Sequence, residues 1–168
     1  GARIAAMDLD AGKLDALVAE LRAMGSEGLA VPGDIADPAT CTAAVAATLG
    51  HFGALDVLVN NAGISARSLL VDTDAEVMRR VMEVNFFGAA NLTRSALPRI
   101  VEQRGFIVAI SSVAGFSPLV GRTAYAASKH ALHGFFGSLR SEVEGAGVQV
   151  TLVCPSFIRT GIGSAATD

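Results

Sequence analysis

The stretch Gly105-Phe106-Ile107-Val108-Ala109-Ile110-Ser111-Ser112 decides the fold. Its five consecutive apolar residues have the length of one strand, and an unbroken rather than alternating run is what a strand of a covered parallel sheet requires. From Thr123 the period changes to that of a helix reaching Glu144. Outward from this unit, further short apolar runs predict strands at Ala2–Met7, Gly28–Pro32, Leu55–Asn60 and Val148–Val153. Between them Asp10–Met24 sets Leu14, Leu17, Val18 and Leu21 on one helical face before Gly25, and Asp37-Pro38 opens a helix that ends near Gly50. A third helical stretch starts at Asp72 or Thr73, and a fourth runs from Asn85 to about Gln103, bent or closed off by Pro98. Strands alternating with helices predict an α/β fold, a doubly wound parallel sheet with helices on both faces. No repeat or linker divides residues 1–168, so one partial domain is expected.

Composition excludes several classes. Hydrophobic residues make up 51% of the 168 and charged residues 17%, the reverse of a disordered chain. The net charge of -3, without a basic block, argues against nucleic acid as a partner. No apolar stretch approaches the ~18 residues of a membrane span, so no membrane partner is expected and the protein reads as soluble and cytoplasmic. Cys41 and Cys154 lack metal-ligand spacing and read as reduced thiols. His130 and His133 lie three apart, but no further ligand completes a set, so they read as helix-surface histidines and no metal is expected.

The chemistry concentrates in Tyr125-Ala-Ala-Ser-Lys129. A spacing of four places phenol and ammonium on one helical face, where the positive charge favours the phenolate. Such a tyrosine can exchange protons with an alcohol near neutral pH. Ser111-Ser112 ends the deciding strand thirteen residues upstream, at the carboxyl edge where open α/β sheets bind ligands. A hydroxyl there can hydrogen-bond an oxygen on which charge develops.

In order along the chain stand Asp8, Gly33-Asp34-Ile35, Asn60-Asn61-Ala62-Gly63, Val84-Asn85, Ser111-Ser112, Tyr125-x-x-x-Lys129, and Pro155 with Thr160. The chain thereby resembles the short-chain dehydrogenase/reductase family along essentially its whole length. The resemblance implies a Rossmann-like dinucleotide-binding and catalytic domain. It implies Tyr125 as general acid/base, Ser112 as the serine orienting the substrate oxygen, and Lys129 holding the nicotinamide ribose hydroxyls. Asn85 would anchor a water linking Lys129 to solvent. The same resemblance sets Asn61, Ala62 and Gly63 beside the adenosine, Asp34 with Ile35 at the adenine, and Pro155, Ile158 and Thr160 around the nicotinamide, with Ser156 where the motif usually has Gly. Asp8, at a strand end with no arginine beside it, is suited to a ribose 2'-hydroxyl and repels a 2'-phosphate, so NAD is expected over NADP.

Phe116, Leu119 and Val120 are expected to line a substrate pocket with Ile64 and Ser65, which suits an alcohol or ketone with an apolar body. Small residues on two helices, Gly88, Ala89, Ala90, Ala126, Ala127 and Ala131, allow close packing across a subunit interface or within the domain, and the resemblance implies a homodimer or homotetramer. The Gly-rich pyrophosphate turn and the strand before it do not occur, nor does the family's C-terminal part. The segment is therefore expected to be internal to a longer protein, or to lack its ends, with an unfilled place between the strands at Ala2–Met7 and Leu55–Asn60, and to bind dinucleotide weakly by itself. The reading is an NAD-dependent oxidoreductase interconverting a secondary alcohol and a ketone. Its rivals are a non-catalytic dinucleotide-binding regulator and an epimerase or dehydratase on the same fold.

Overall fold

A computed structural model of the chain describes residues 1–156 and 158. Strands and helices alternate as β1 (Ile4–Asp8), α1 (Ala11–Ala23), β2 (Gly28–Pro32), α2 (Pro38–Phe52), β3 (Val57–Asn60), α3 (Ala75–Met82), α4 (Ala89–Gln103), β4 (Phe106–Ile110), α5 (Thr123–Val143) and β5 (Gln149–Val153). The capping expected at Asp37 holds, and Asp10 caps α1 in the same way. The Asp10 side chain accepts the N–H of Lys13, and that of Asp37 accepts the N–H of Ala39, with Pro38 in the first turn. α2 continues past Gly50 and stops at Gly53, whose φ of 78° is the left-handed geometry that ends helices.

The third and fourth helices differ from expectation. A 3-10 turn at Leu70–Asp72 precedes α3, which begins at Ala75 rather than at Asp72 or Thr73. α3 then does not end before a new helix head at Asn85. Helical backbone continues through a π-helical turn, Glu83–Gly88, directly into α4, and α4 passes Pro98 to Gln103. The wider turn places Val84, Asn85 and Gly88 in the interior together. Gly88 and Ala89, candidates for a subunit interface, are buried within the chain; a Cβ on Gly88 would stand 3.0 Å from the Ile35 side chain.

All strand pairings are parallel, but the sheet lies in two pieces, β1–β2 and β3–β4–β5. Between them a cavity of about 740 Å³ is lined by Ile4–Asp8 of β1 and Val57–Val59 of β3. It lies between β1 and β3, where the sequence reading expects an unfilled place. One face of β3–β4–β5 is closed: the register row Leu58, Ile107 and Val150 is buried under Ile100 of α4 and Leu132, Phe136 and Leu139 of α5. Burial of each such side chain contributes about 1.5–3 kcal/mol. The opposite face bears no helix among the described residues, and Val59 remains 52% exposed there.

Candidate active site

Three elements converge at the carboxyl end of β4. The Lys129 ammonium donates to the carbonyl of Ile110 at 2.8 Å, and the residue is 3% exposed. Burial disfavours its charged form and pushes its pKa down from 10.5 to about 8. One turn earlier on α5, Tyr125 is half-buried, with the Lys129 Nζ 5.6 Å from its ring centroid. A second cation was not anticipated from the sequence. The Arg122 guanidinium lies 6.0 Å from the same centroid and donates to Ser65 Oγ and to the carbonyl of Ala66, so it ties the loop after β3 to the start of α5. Its position three residues before Tyr125, immediately before α5, was the available signal.

Ser112 is extended and caps a 3-10 turn at Val113–Gly115, its Oγ accepting the N–H of Ala114 at 3.2 Å. Acting as acceptor there, the hydroxyl keeps its hydrogen for another oxygen. Ser111 points inward, buried, with its Oγ 2.9 Å from Nε2 of His133. His133 is thus half-buried beneath the strand end rather than on the helix surface, because the inward face of α5 meets β4 there. His130 is exposed as expected. Cys154, just past β5, has its Sγ 3.7 Å from the same Nε2.

Asn85 links the remaining parts. At 1% exposure, its Oδ1 accepts the N–H of Ile64 at 2.8 Å while its Nδ2 donates to the Ile64 carbonyl at 2.9 Å and to Ser128 Oγ at 3.0 Å. Both amide hydrogens are therefore committed to protein, and only Oδ1 retains a free lone pair. A Cβ on Gly63 would lie 3.3 Å from Asn85 Oδ1 and 3.8 Å from Lys129 Nζ, so glycine lets this loop rest on the pair. Pro155 joins from the other side, its carbonyl accepting the N–H of Val113 at 3.1 Å.

The other expected residues stand further off. Asp8, Asn61 and Ala62 are exposed on the rim of the large cavity. Asp34, expected to face an adenine amine, accepts from Arg80 on one oxygen and from the Ala36 N–H on the other, both at 2.9 Å. An unpaired carboxylate costs more than one with partners nearby, and α3 brings Arg80 within reach. Ile35 lines the cavity and packs on Gly88. Ile158 is exposed, and Thr160 lies outside the described residues. Of the expected pocket loop, Phe116 and Val120 are exposed, Val120 by 92%, Leu119 and Ile64 are half-buried, and Ser65 is buried against Arg122.

These residues fit a dinucleotide at its nucleoside ends: Asp8 and Asn61 present hydrogen-bonding side chains at a cavity rim, and the space a Cβ on Gly63 would fill stays clear beside Lys129. Known proteins share the fold. Over 97% of the chain the fold superimposes, with TM-score 0.93 and 35% identity, on a short chain dehydrogenase/reductase from Burkholderia phymatum in complex with NAD, covering 59% of that chain. A gluconate 5-dehydrogenase from Burkholderia cenocepacia J2315, in complex with NADP and tartrate, matches with TM-score 0.91 and 27% identity over 98% of this chain and 65% of its own. In sequence, the dehydrogenase/reductase SDR family member 7B of Bos taurus is 44% identical over 96% of this chain and 52% of its own length. The family member 7 of Homo sapiens is 40% identical over 80% of this chain and 40% of its own. The chain thus spans about half the length of the curated relatives it matches. With the sequence profile of the short chain dehydrogenases matching residues 1–168, and the fold and relatives agreeing, the chain belongs to the short chain dehydrogenase family of oxidoreductases.

Proposed function

We propose that the full-length protein interconverts a secondary alcohol and a ketone with NAD, using Tyr125 as general acid/base. The observation that carries this reading is the buried Lys129 ammonium, held at the end of β4 and 5.6 Å from the Tyr125 ring. A cation with so little water around it acts on neighbouring polar groups more strongly than an exposed one does. In the oxidising direction Tyr125 takes the hydroxyl proton of the alcohol while Ser112, whose hydrogen is uncommitted, donates to the same oxygen. Held beside Lys129 and Pro155, a nicotinamide would supply the hydride-transfer chemistry. Asn85 orders the loop at Gly63 and Ile64 over Lys129, and Arg122 holds Ser65 and Ala66 beside Tyr125.

NAD rather than NADP is supported by Asp8, which accepts the N–H of Asp10 at 2.9 Å and takes part in no ion pair among the described residues. The exposed apolar side chains of Phe116 and Val120 support a substrate with an apolar body. A homodimer or homotetramer in the cytoplasm completes the reading. Full-length protein screened against secondary alcohols should form NADH, and Tyr125→Phe should lower kcat by about 10²–10⁴ with the Tm unchanged. Turnover by Tyr125→Phe at the parent rate would sink the assignment, and better efficiency with NADP would sink the cofactor choice.

A further inference from the structure

Ser111 and His133 take no part in the chemistry proposed above, yet they are hydrogen-bonded to each other directly beneath it. We propose that His133, acting through Ser111, is a positioning residue that fixes Ser112 and Lys129 relative to one another; this rests on the reading of Ser112 and Lys129 given above. The Ser111 hydroxyl has one hydrogen, directed at the Lys129 carbonyl at 3.4 Å. In the proposed arrangement the ring is the donor in its 2.9 Å contact with Ser111 Oγ, as the Nε2–H tautomer, which leaves the hydroxyl hydrogen on the Lys129 carbonyl.

Three features make this pair a clamp. First, β4 is tied to α5 at two consecutive residues, Ile110 accepting from Lys129 Nζ and Ser111 from His133, so Ser112 is the next residue and the first one free for a ligand. Second, Lys129 and His133 are one helical turn apart, so a tie at either sets the rotation and height of both. Third, the turn that Ser112 caps rests on the pair: a Cβ on Gly115 would lie 2.5 Å from His133 Nε2 and 2.6 Å from Ser111 Oγ. The Phe116 ring, edge-on to the imidazole with centroids 6.0 Å apart, continues the contact into the loop between Ser112 and Tyr125. Loss of the Nε2–H donor lets that turn and the Lys129 turn shift independently, and small displacements of reacting groups are costly in rate.

The test uses full-length enzyme and has two arms. In the first, nitrogen-15 spectra of histidine-labelled protein, with His133 assigned by its loss in His133→Gln, should show the Nε2–H tautomer, and Ser111→Ala should abolish that preference; an Nδ1–H ring overturns the proposal whether or not a substrate is known. In the second, His133→Leu and Ser111→Ala should each lower kcat about tenfold with KM little changed. The double variant should be no slower than either single, and His133→Gln, whose amide can donate in place of Nε2–H, should recover most of the rate. Additive losses, no rescue by Gln, or unaltered kcat would overturn it. Failure of the underlying reading shows separately, as Tyr125→Phe retaining parent activity.

Discussion

The two pieces of the sheet are both built of short parallel strands, yet they are held very differently. β3–β4–β5 is closed on one face by α4 and α5, with Ile100, Ile107 and Phe136 fully buried. β1–β2 leans on α1, where only Leu14 and Leu21 are buried, and its inner edge opens on the cavity. The groups proposed to act in the chemistry, Ser112, Tyr125 and Lys129, all sit on the closed piece or the helix packed against it. The exposed Asp8, proposed to recognise the cofactor ribose, sits on the open one. The difference teaches that shifting a pKa needs dry, fixed surroundings, whereas a hydrogen bond to a ribose needs only a side chain at a rim.

The contrast can be broken by substitution in full-length protein. Phe136→Ala should cost about 3–5 kcal/mol in urea unfolding, and Leu14→Ala about 2 kcal/mol because its open surroundings can collapse around it. Equal losses would mean that the two pieces are equally packed. Gly105→Ala and Gly33→Ala make a sharper pair. A Cβ on Gly105 would overlap the backbone carbonyl of Asp56, which accepts the N–H of Phe106 between β3 and β4, whereas one on Gly33 meets side chains alone, the Thr40 methyl most closely and Met7 Cε at 3.5 Å. We expect about 3 kcal/mol for the first and about 1 kcal/mol for the second, since a methyl can rotate away and a strand cannot.

Lys129 gives a pH test of the same closed piece. Its folded pKa of about 8 lies below the ordinary 10.5, so between those values the unfolded chain binds a proton that the folded chain does not. Stability from this group therefore rises as pH climbs from about 8 to about 10.5, and below about 8 the whole penalty, of order 3 kcal/mol, is present. Lys129→Met should be the more stable protein at pH 7, though inactive, and its advantage in Tm should shrink toward pH 10.5. A gap independent of pH would show that Lys129 is hydrated in solution. The smallest effect is expected at Arg80→Ala: the partly exposed pair with Asp34 should contribute under about 1 kcal/mol, and a larger loss would make this rim part of the packed core.

Much of this was legible in the chain itself. Apolar runs located every strand to within two residues, because a buried parallel strand must be apolar along its length. Asp10 and Asp37 marked helix starts because their side chains satisfy N–H groups that have no other partner. The continuity of α3 and α4 was not legible: a π turn has no composition signal, and Asn85 resembled a helix head because asparagine is favoured there. His133 was misread as a surface residue because its ring is paired with Ser111, distant in sequence. Asp34 was read without Arg80 for the same reason.

By itself the sequence determined the strand and helix order and the one-turn spacing of Tyr125 and Lys129, since these depend on periodicities of neighbouring residues. Only the tertiary structure decided how dry Lys129 is, that Arg122 lies near the same phenol, and that a histidine supports the strand-end serines. Desolvation and hydrogen-bond partnership are set by groups brought together from distant parts of the chain, and no local pattern encodes them.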